Sequence, residues 1–214
     1  MNHLKTFYTS VVFTLCLVGL SSLSHAQTTT LELTTATLNG QTICGLSRAE
    51  IEADLLGEPD WVNIDSFPLR WMINRGQLEE DMMAVSTAYH DLALQPTYMP
   101  AEETLLTLHV VLEDSLITFS HEIDPSWSMT EAQAWLEVTF DAKGAVVVHQ
   151  PMQAVMEILE DEDTNFWERL SLQNAAFYLV GLSFGDHSVA FYFPEASHEL
   201  TALVIACGDI SELY

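Results

Sequence analysis

The fold of this chain is predicted from a segment that begins at a cysteine and ends at a proline. The segment reads Cys44-Gly45-Leu46-Ser47-Arg48-Ala49-Glu50-Ile51-Glu52-Ala53-Asp54-Leu55-Leu56-Gly57-Glu58-Pro59. Ser47 and Glu50 have the spacing of a capping box, in which each side chain bonds the other residue's backbone amide. Gly57 can adopt the left-handed conformation that ends a helix, and Pro59 cannot continue one. The segment therefore predicts a short, well-delimited helix with a cysteine just ahead of it.

Residues 1–26 have the pattern of an export signal. A polar start containing Lys5 precedes an apolar run over residues 11–20, and Ser24-His25-Ala26 places small residues at the cleavage positions. The apolar run is too short to anchor the chain in a membrane. We therefore expect cleavage after Ala26, a mature chain of residues 27–214, and a periplasmic or secreted location.

Two cysteines, Cys44 and Cys207, remain after removal of the signal. In an oxidising compartment an even number of cysteines favours a disulfide bond, and two residues allow one intramolecular pairing. Such a bond would tie the capped helix to the end of the chain. The alternative is a pair of buried free thiols.

The charge of the chain is strongly acidic. Cleavage removes Lys5, so Arg48, Arg70, Arg75, Lys143 and Arg169 are the basic residues that face 31 acidic ones. This balance argues against nucleic acid and against anionic membrane surfaces, because both require basic patches. Two explanations remain open: a saline habitat, in which counterions screen the acids, and a cationic partner. No second apolar run reaches membrane-spanning length, so we expect a soluble protein without a membrane span.

Hydrophobic periodicity predicts the remaining elements. Leu78, Met82, Val85, Tyr89 and Leu92 recur at helical spacing. The predicted order is a strand within residues 27–40, helices over 47–56 and 78–92, strands over 106–112, 117–123, 136–140 and 145–148, a helix over 151–170, and strands over 177–184, 189–193 and 200–206. Residues 60–76 and 95–103 are expected to be irregular.

This order predicts an α+β fold with an antiparallel β-sheet and helices packed on one side. The expected organisation is helix, helix and meander, followed by a second unit of one helix and three strands. We expect residues 27–214 to form one domain, with two small fused units over about 27–150 and 151–214 as the alternative.

The pattern from Gly45-Leu46-Ser47 to Leu56-Gly57-Glu58-Pro59, followed by a meander, resembles beta-lactamase inhibitory protein. It also resembles the small lipoprotein of the outer-membrane barrel-assembly machine, and residues 181–184, 189–193 and 200–204 are similar to the last strands of such modules. The resemblance implies an exported protein that binds other proteins without catalysis. This chain lacks a lipidation cysteine and exceeds one module in length, so no interface residue is transferred from either protein.

A hydrolase motif is present in outline. Gly181-Leu182-Ser183-Phe184-Gly185 matches G-x-S-x-G, whose serine must lie at a tight strand-to-helix turn. The segment after Gly185 is predicted to be a strand, and too few residues remain for the rest of that fold. We therefore expect Ser183 to lie in a strand that leads into a glycine turn.

His109 and His121 would face each other across a hairpin with a three-residue loop. With a third ligand they could form a zinc site, whereas a two-residue loop would separate them. The alternative is a pair of solvent-facing imidazoles, and neither a metal nor another cofactor is predicted.

Trp127 lies in a polar loop, between Ser126 and Ser128, and is the candidate interface residue, since exposed tryptophan anchors protein interfaces well. We expect an exported, acidic, non-enzymatic binding protein whose partner is an envelope or secreted protein. A secreted hydrolase using Ser183 or the histidine pair is the alternative. An apolar-ligand carrier with Phe184, Phe191 and Phe193 in its cavity is a third hypothesis.

Overall fold

The computed structural model describes residues 28–65, 84–99, 103–111, 136–141, 144–146, 150–159, 166–172 and 175–208. The predicted signal segment lies outside these residues. The strands are β1 (Thr29–Glu32), β2 (Thr37–Leu38), β3 (Gln41–Thr42), β4 (Trp61–Asp65), β5 (Ala84–Ala88), β6 (Leu94–Tyr98), β7 (Leu105–Val111), β8 (Leu136–Thr139), β9 (Phe166–Leu172), β10 (Ala175–Ser183), β11 (His187–Pro194) and β12 (Ala202–Cys207). The helices are α1 (Arg48–Glu50), which continues as a π-helix over Ile51–Leu56, and α2 (Met152–Ile158), with a 3₁₀ turn at His90–Leu92.

The larger sheet has eight strands in the order β4-β5-β6-β7-β12-β11-β10-β9. Every neighbouring pair is antiparallel, so the sheet consists of two four-stranded meanders that meet where β7 pairs with β12. In each half a helix precedes the four strands in the chain, because α1 comes before β4 and α2 before β9.

The smaller sheet has the order β3-β2-β1-β8. Its β1–β8 pair is parallel, with Leu31 opposite Val138, so the expectation of purely antiparallel pairing is wrong here. A parallel pair needs a long connection, and about a hundred residues, including β4 to β7, separate β1 from β8. Leu31, Leu33 and Leu38 are buried and direct this sheet into the core.

The capping box predicted at the first helix is present. The Glu50 amide donates to Ser47 Oγ (3.4 Å), and the Ser47 amide donates to Glu50 Oε2 (2.8 Å). Ile51 is the buried residue of the following π-helix, and Gly57 ends it with φ = 80°. A residue with a Cβ would be strained at that angle, so the glycine defines the helix exit.

The core lies between the two sheets. Val189, Phe191 and Phe193 of β11 belong to the same buried cluster as Leu31 and Leu33 of the smaller sheet. The opposite face of β11 carries Ser188, Ala190 and Tyr192, which are also fully buried. Because both faces of the central strands are buried, their sequences lack the simple polar–apolar alternation of a half-exposed sheet.

Four secondary-structure predictions are wrong within the described residues. A helix was predicted over 78–92, but from Ala84 onward this segment forms β5 and a 3₁₀ turn. The segments 60–76 and 95–103 were predicted to be irregular, but the first contains β4 and the second contains most of β6. The helix predicted over 151–170 ends at Ile158, and β9 begins at Phe166. The three closing strands are confirmed, with small shifts at their ends. The fold is α+β as predicted, but strands dominate and the helix–helix order is not confirmed.

Candidate functional site

The two cysteines form a disulfide that joins the amino-terminal sheet region to the last strand. Cys44 and Cys207 are 163 residues apart in sequence. Cys44 lies in the short connection between β3 and α1, whereas Cys207 ends β12. The pairing predicted from the sequence is therefore present, and it fixes the smaller sheet and α1 to the carboxy-terminal meander.

A buried histidine, His187, lies beside this disulfide because it is the residue of β11 opposite Cys207. Its Nδ1 lies 2.8 Å from Asp186 Oδ1, and its Nε2 lies 2.9 Å from the carbonyl oxygen of Leu33. Sequence reasoning did not single out His187. The available sequence signal for this histidine was the pair Asp186-His187 at a hairpin turn. That pair alone does not predict a buried, doubly hydrogen-bonded ring, because the second partner is the distant Leu33 carbonyl.

Of the predicted histidine pair, His109 lies in β7 and His121 lies outside the described residues. His109 faces Gln95 of β6 and Val204 of β12, and its Nε2 lies 3.2 Å from Thr107 Oγ1. Part of its surface remains accessible, yet the ring lies deep enough that burial lowers the pKa of His109 to about 4. A neutral imidazole could ligate a metal, but no three potential ligands come together within the described part of the chain, and the zinc site stays a prediction.

The G-x-S-x-G serine lies in a hairpin rather than at a nucleophile elbow. Ser183 ends β10 opposite Ser188, and the hydroxyl of Ser188 lies 3.4 Å from that of Ser183. Neighbouring strand residues point to opposite faces, so His187 projects away from Ser183. The geometry gives Ser183 no histidine base in its own hairpin, as expected from the strand that follows Gly185.

The aromatic residues proposed for a ligand cavity lie in the core or pack against it. Phe191 and Phe193 are fully buried in the main core, and Phe184 stacks on His187 with ring centroids 5.0 Å apart. These contacts place the three residues in or against the core, and the ligand-carrier hypothesis stays a prediction. Trp127, the candidate interface residue, lies outside the described residues, so its role stays a prediction.

A groove runs between α2 and the turn that joins β11 to β12. Its volume is about 570 Å³. It is lined by Pro151, Met152, Gln153, Met156, Ser197, His198 and Glu199. The two methionines are spaced by four residues and lie on one side of α2, so they form a mostly apolar wall. We call this feature the α2 groove.

Backbone pairing holds both walls of the α2 groove in place. The Met152 amide donates to the His198 carbonyl (2.8 Å), and the Leu200 amide donates to the Gln150 carbonyl (2.9 Å). Val155 and Leu159 anchor the other side of α2 in the core and are almost completely buried. The groove is thus a preformed concavity, which is the usual form of a binding site.

The rim of the α2 groove carries polar and acidic groups. Glu199 lies in the wall, and Glu157 lies one turn beyond Gln153, whose amide nitrogen is 3.3 Å from Glu157 Oε1. His198 contacts Tyr178, with ring centroids 5.4 Å apart. An apolar wall beside the carboxylate of Glu199 can accept an aliphatic side chain that ends in a positive charge.

A second polar feature lies beneath α1 and its π-helix. The Tyr89 hydroxyl donates to the Gly57 carbonyl (3.3 Å), and burial raises the pKa of Tyr89 to about 12 and raises that of Tyr98 further. Thr87 lies close enough to both phenols to favour their ionised forms. However, no hydrogen bond of good geometry reaches the hydroxyls of Thr87 or Tyr98 from the described residues.

The α2 groove was not predicted from the sequence. A helix was predicted over 151–170, but Met152 and Met156 were not singled out as a pair, and their spacing of four residues was the available signal. The opposite wall, Ser197 to Glu199, comes from a turn about forty residues later in the chain. Only the tertiary pairing of residues 150–152 with 198–200 brings the two walls together.

No helix in the described part of the chain is both long enough and apolar enough to cross a membrane. No protein-family model matches the sequence, and no curated protein does.

Two crystal structures are similar at a low level. One is a cysteine-rich secretory protein from Staphylococcus aureus, with a TM-score of 0.39, 9% identity, and coverage of 77% of this chain and 44% of that chain. The other is an extracellular protein containing a SCP domain from Bacillus anthracis, with a TM-score of 0.39, 12% identity, and the same two coverages of 77% and 44%. The chain thus spans less than half the length of each. A similarity this low assigns neither a fold family nor a function, and the resemblance to beta-lactamase inhibitory protein stays a prediction.

Proposed function

We propose that this chain is an exported, acidic, non-enzymatic protein that binds a basic segment of another envelope or secreted protein in the α2 groove. The observation that carries the proposal is the groove itself: a preformed concavity with a methionine wall and one carboxylate, that of Glu199, in its lining. The disulfide supports an oxidising location, in which such bonds form and persist.

The methionine wall suits a protein partner. Methionine is flexible and polarisable, so a pair such as Met152 and Met156 can adapt to side chains of different shape. Both are partly exposed, while their neighbours Val155 and Leu159 complete the core. The exposed parts of the two methionines are therefore available to a partner without disturbing the packing of α2.

Charge favours a basic partner. The full chain has a formal net charge of −25, and Glu199 contributes a carboxylate to the groove wall itself. A lysine or arginine side chain could lay its aliphatic stem on Met152 and Met156 while its charged end meets Glu199. The overall negative field would also speed the approach of such a partner at low salt.

Calorimetric titration with two synthetic peptides tests the proposal. One peptide combines lysine and leucine, and its matched control replaces each lysine with glutamate. We expect the lysine peptide to bind and the glutamate peptide not to bind. Replacing both Met152 and Met156 with Gln should weaken binding about tenfold, because a part-buried apolar contact is worth roughly 1–2 kcal/mol.

Charge variants separate the groove from the general acidity of the chain. Glu199→Gln should weaken binding about two- to fivefold, as expected for a solvent-accessible ion pair. Glu137→Gln removes the same charge from an exposed position on β8, outside the groove, and should leave binding unchanged. Equal effects of the two glutamate variants, or unchanged binding in the double methionine variant, would contradict the groove as the binding site.

A further inference from the structure

His187 and the Cys44–Cys207 disulfide form two adjacent ties between the smaller sheet and the carboxy-terminal meander. His187 and Cys207 are opposite each other on β11 and β12, and the Gly208 amide donates to the Asp186 carbonyl (3.0 Å) at the same end. The disulfide reaches Cys44 after β3, and the His187 ring reaches the carbonyl of Leu33 after β1. Both ties therefore connect the same two parts of the fold.

The partners of the two His187 ring nitrogens decide which protonation state can satisfy both hydrogen bonds. Its Nε2 faces a carbonyl oxygen at 2.9 Å and its Nδ1 faces a carboxylate oxygen at 2.8 Å. Both partners can only accept, since the Asp186 side chain is 75% exposed and ionised near neutral pH. A neutral imidazole carries one N–H and would leave a lone pair pointing at one of the two oxygens. Both bonds form together only when His187 is the imidazolium cation.

The surroundings of His187 suit a cation. Phe184 stacks on the ring with an interplanar angle of 19°, which places an aromatic face against the positive charge. Phe140, the residue after β8, packs on Phe184, with ring centroids 6.1 Å apart. The imidazole therefore has one aromatic face and two acceptors around it, and His187 is only 2% exposed.

The other titratable groups near His187 are hydrogen-bonded elsewhere, exposed to solvent or held in the disulfide. On the smaller sheet Glu32 precedes Leu33, and its carboxylate accepts from Thr34, Thr139 and the Asp141 amide. Asp141 is the residue after Phe140, and its side chain is exposed. On β12 the neighbour is Cys207, which is in the disulfide and does not titrate. Asp186 is thus the carboxylate hydrogen-bonded to the imidazole.

We propose that His187 is a proton-dependent latch that holds the smaller sheet on the carboxy-terminal meander, in parallel with the disulfide. Loss of the proton breaks either the bond to Leu33 or the bond to Asp186. The smaller sheet is then held at this edge mainly by the disulfide and by apolar packing.

The direction of the pH effect follows from the two partners. The hydrogen bond from His187 lowers the pKa of Asp186 below its usual range, so the carboxylate stays ionised in moderately acidic solution. The latch is therefore closed at mildly acidic pH and opens as the pH rises and the imidazolium loses its proton. At strongly acidic pH it opens again, because Asp186 takes up a proton.

Amide hydrogen exchange of β1 and β8 in the exported, oxidised chain tests the latch. After correction for intrinsic rates, protection of these strands should fall about ten- to a hundredfold between about pH 5.5 and about pH 8.5, as expected for loss of one hydrogen bond to a charged group. The fall should be larger when Cys44 and Cys207 are both replaced with Ser. Protection that is the same at both pH values in both proteins would overturn the proposal.

Three variants make the test specific. Asp186→Asn should retain the docked sheet and lose the pH dependence, because the side-chain amide it introduces can donate to Nδ1 of a neutral imidazole. His187→Gln should also lose the pH dependence. His198→Gln, in the exposed turn before β12, should keep it. If Asp186→Asn keeps the full pH dependence, the latch is refuted.

A spectroscopic measurement on the unmodified chain covers the case in which the His187 variant does not fold. The nitrogen shifts of the His187 ring should show protons on both nitrogens at about pH 5.5. A neutral tautomer at that pH would overturn the proposal, whatever the variants show.

Discussion

Removal of the disulfide gives the largest stability change that can be worked out from the structure. Cys44 and Cys207 are 163 residues apart, so the bond closes a loop that spans most of the described chain. In the chain-entropy model a loop of that size restricts the unfolded state by an amount worth about 5 kcal/mol at 25 °C. Replacing both cysteines with Ser should therefore lower the free energy of unfolding by about 5 kcal/mol, which is a large part of the stability of an ordinary domain.

Urea unfolding at equilibrium measures this loss. The midpoint should fall strongly in the double Ser variant, and the unmodified chain under reducing conditions should show a similar fall. The matched control is the oxidised chain with the exposed substitution Glu137→Gln, which should unfold near the original midpoint. A loss below about 1 kcal/mol in the double variant would refute the reasoning, because it would mean that the unfolded chain gains little freedom when the loop is opened.

Two further predictions concern single side chains. Tyr98→Phe should raise the free energy of unfolding by about 1 kcal/mol, because it removes a fully buried hydroxyl that receives no hydrogen bond of good geometry from the described residues. Tyr89→Phe should lower the free energy of unfolding, because that hydroxyl donates to the Gly57 carbonyl. A loss of stability in the Tyr98 variant, measured by urea unfolding, would contradict the first assignment. Burial would raise the pKa of Glu32, but its hydrogen bonds with Thr139, Asp141 and Thr34 lower it overall. Its carboxylate therefore stabilises the fold above its ordinary pKa of 4.5, and the contribution is lost as the pH falls through the lowered value. Glu32→Gln should cost about 1 kcal/mol at pH 7, and the cost should shrink as the pH falls through the lowered pKa of Glu32. A cost that is equal at pH 7 and in strongly acidic solution would count against this account.

Local signals identified the elements whose boundaries are set by local chemistry. The Ser47–Glu50 capping box and Gly57 are present as predicted, because caps and left-handed exits depend on neighbouring residues. The closing strands were found because β10 to β12 are long and rich in β-branched and aromatic residues.

The wrong assignments arise where tertiary structure overrides local preference. Val85 and Tyr89 fit a helical repeat, but with Thr87 they also fit the period of a strand, and β5 is buried on both faces. Pro96 suggested an irregular segment, yet it lies in β6 opposite Leu108, next to a register shift between Thr97 and Tyr98. Proline inside a sheet is tolerated at such irregularities, which no short stretch of sequence shows.

The candidate sites were harder to predict than the fold. The disulfide followed from counting cysteines, whereas the α2 groove and the contact between His187 and Leu33 join residues that are far apart in the chain. His187 and Leu33 are separated by 154 positions. No composition or spacing encodes which carbonyl will lie opposite a histidine ring.

Methyl spectra of the chain labelled at its methionines, recorded while the lysine–leucine peptide is added, test the central claim most directly. If the α2 groove binds basic segments, the methyl signals of Met152 and Met156 will shift most, and the glutamate-substituted peptide will leave them unchanged. If those two signals stay in place while the lysine peptide binds, or if both peptides shift them equally, the groove is not the binding site.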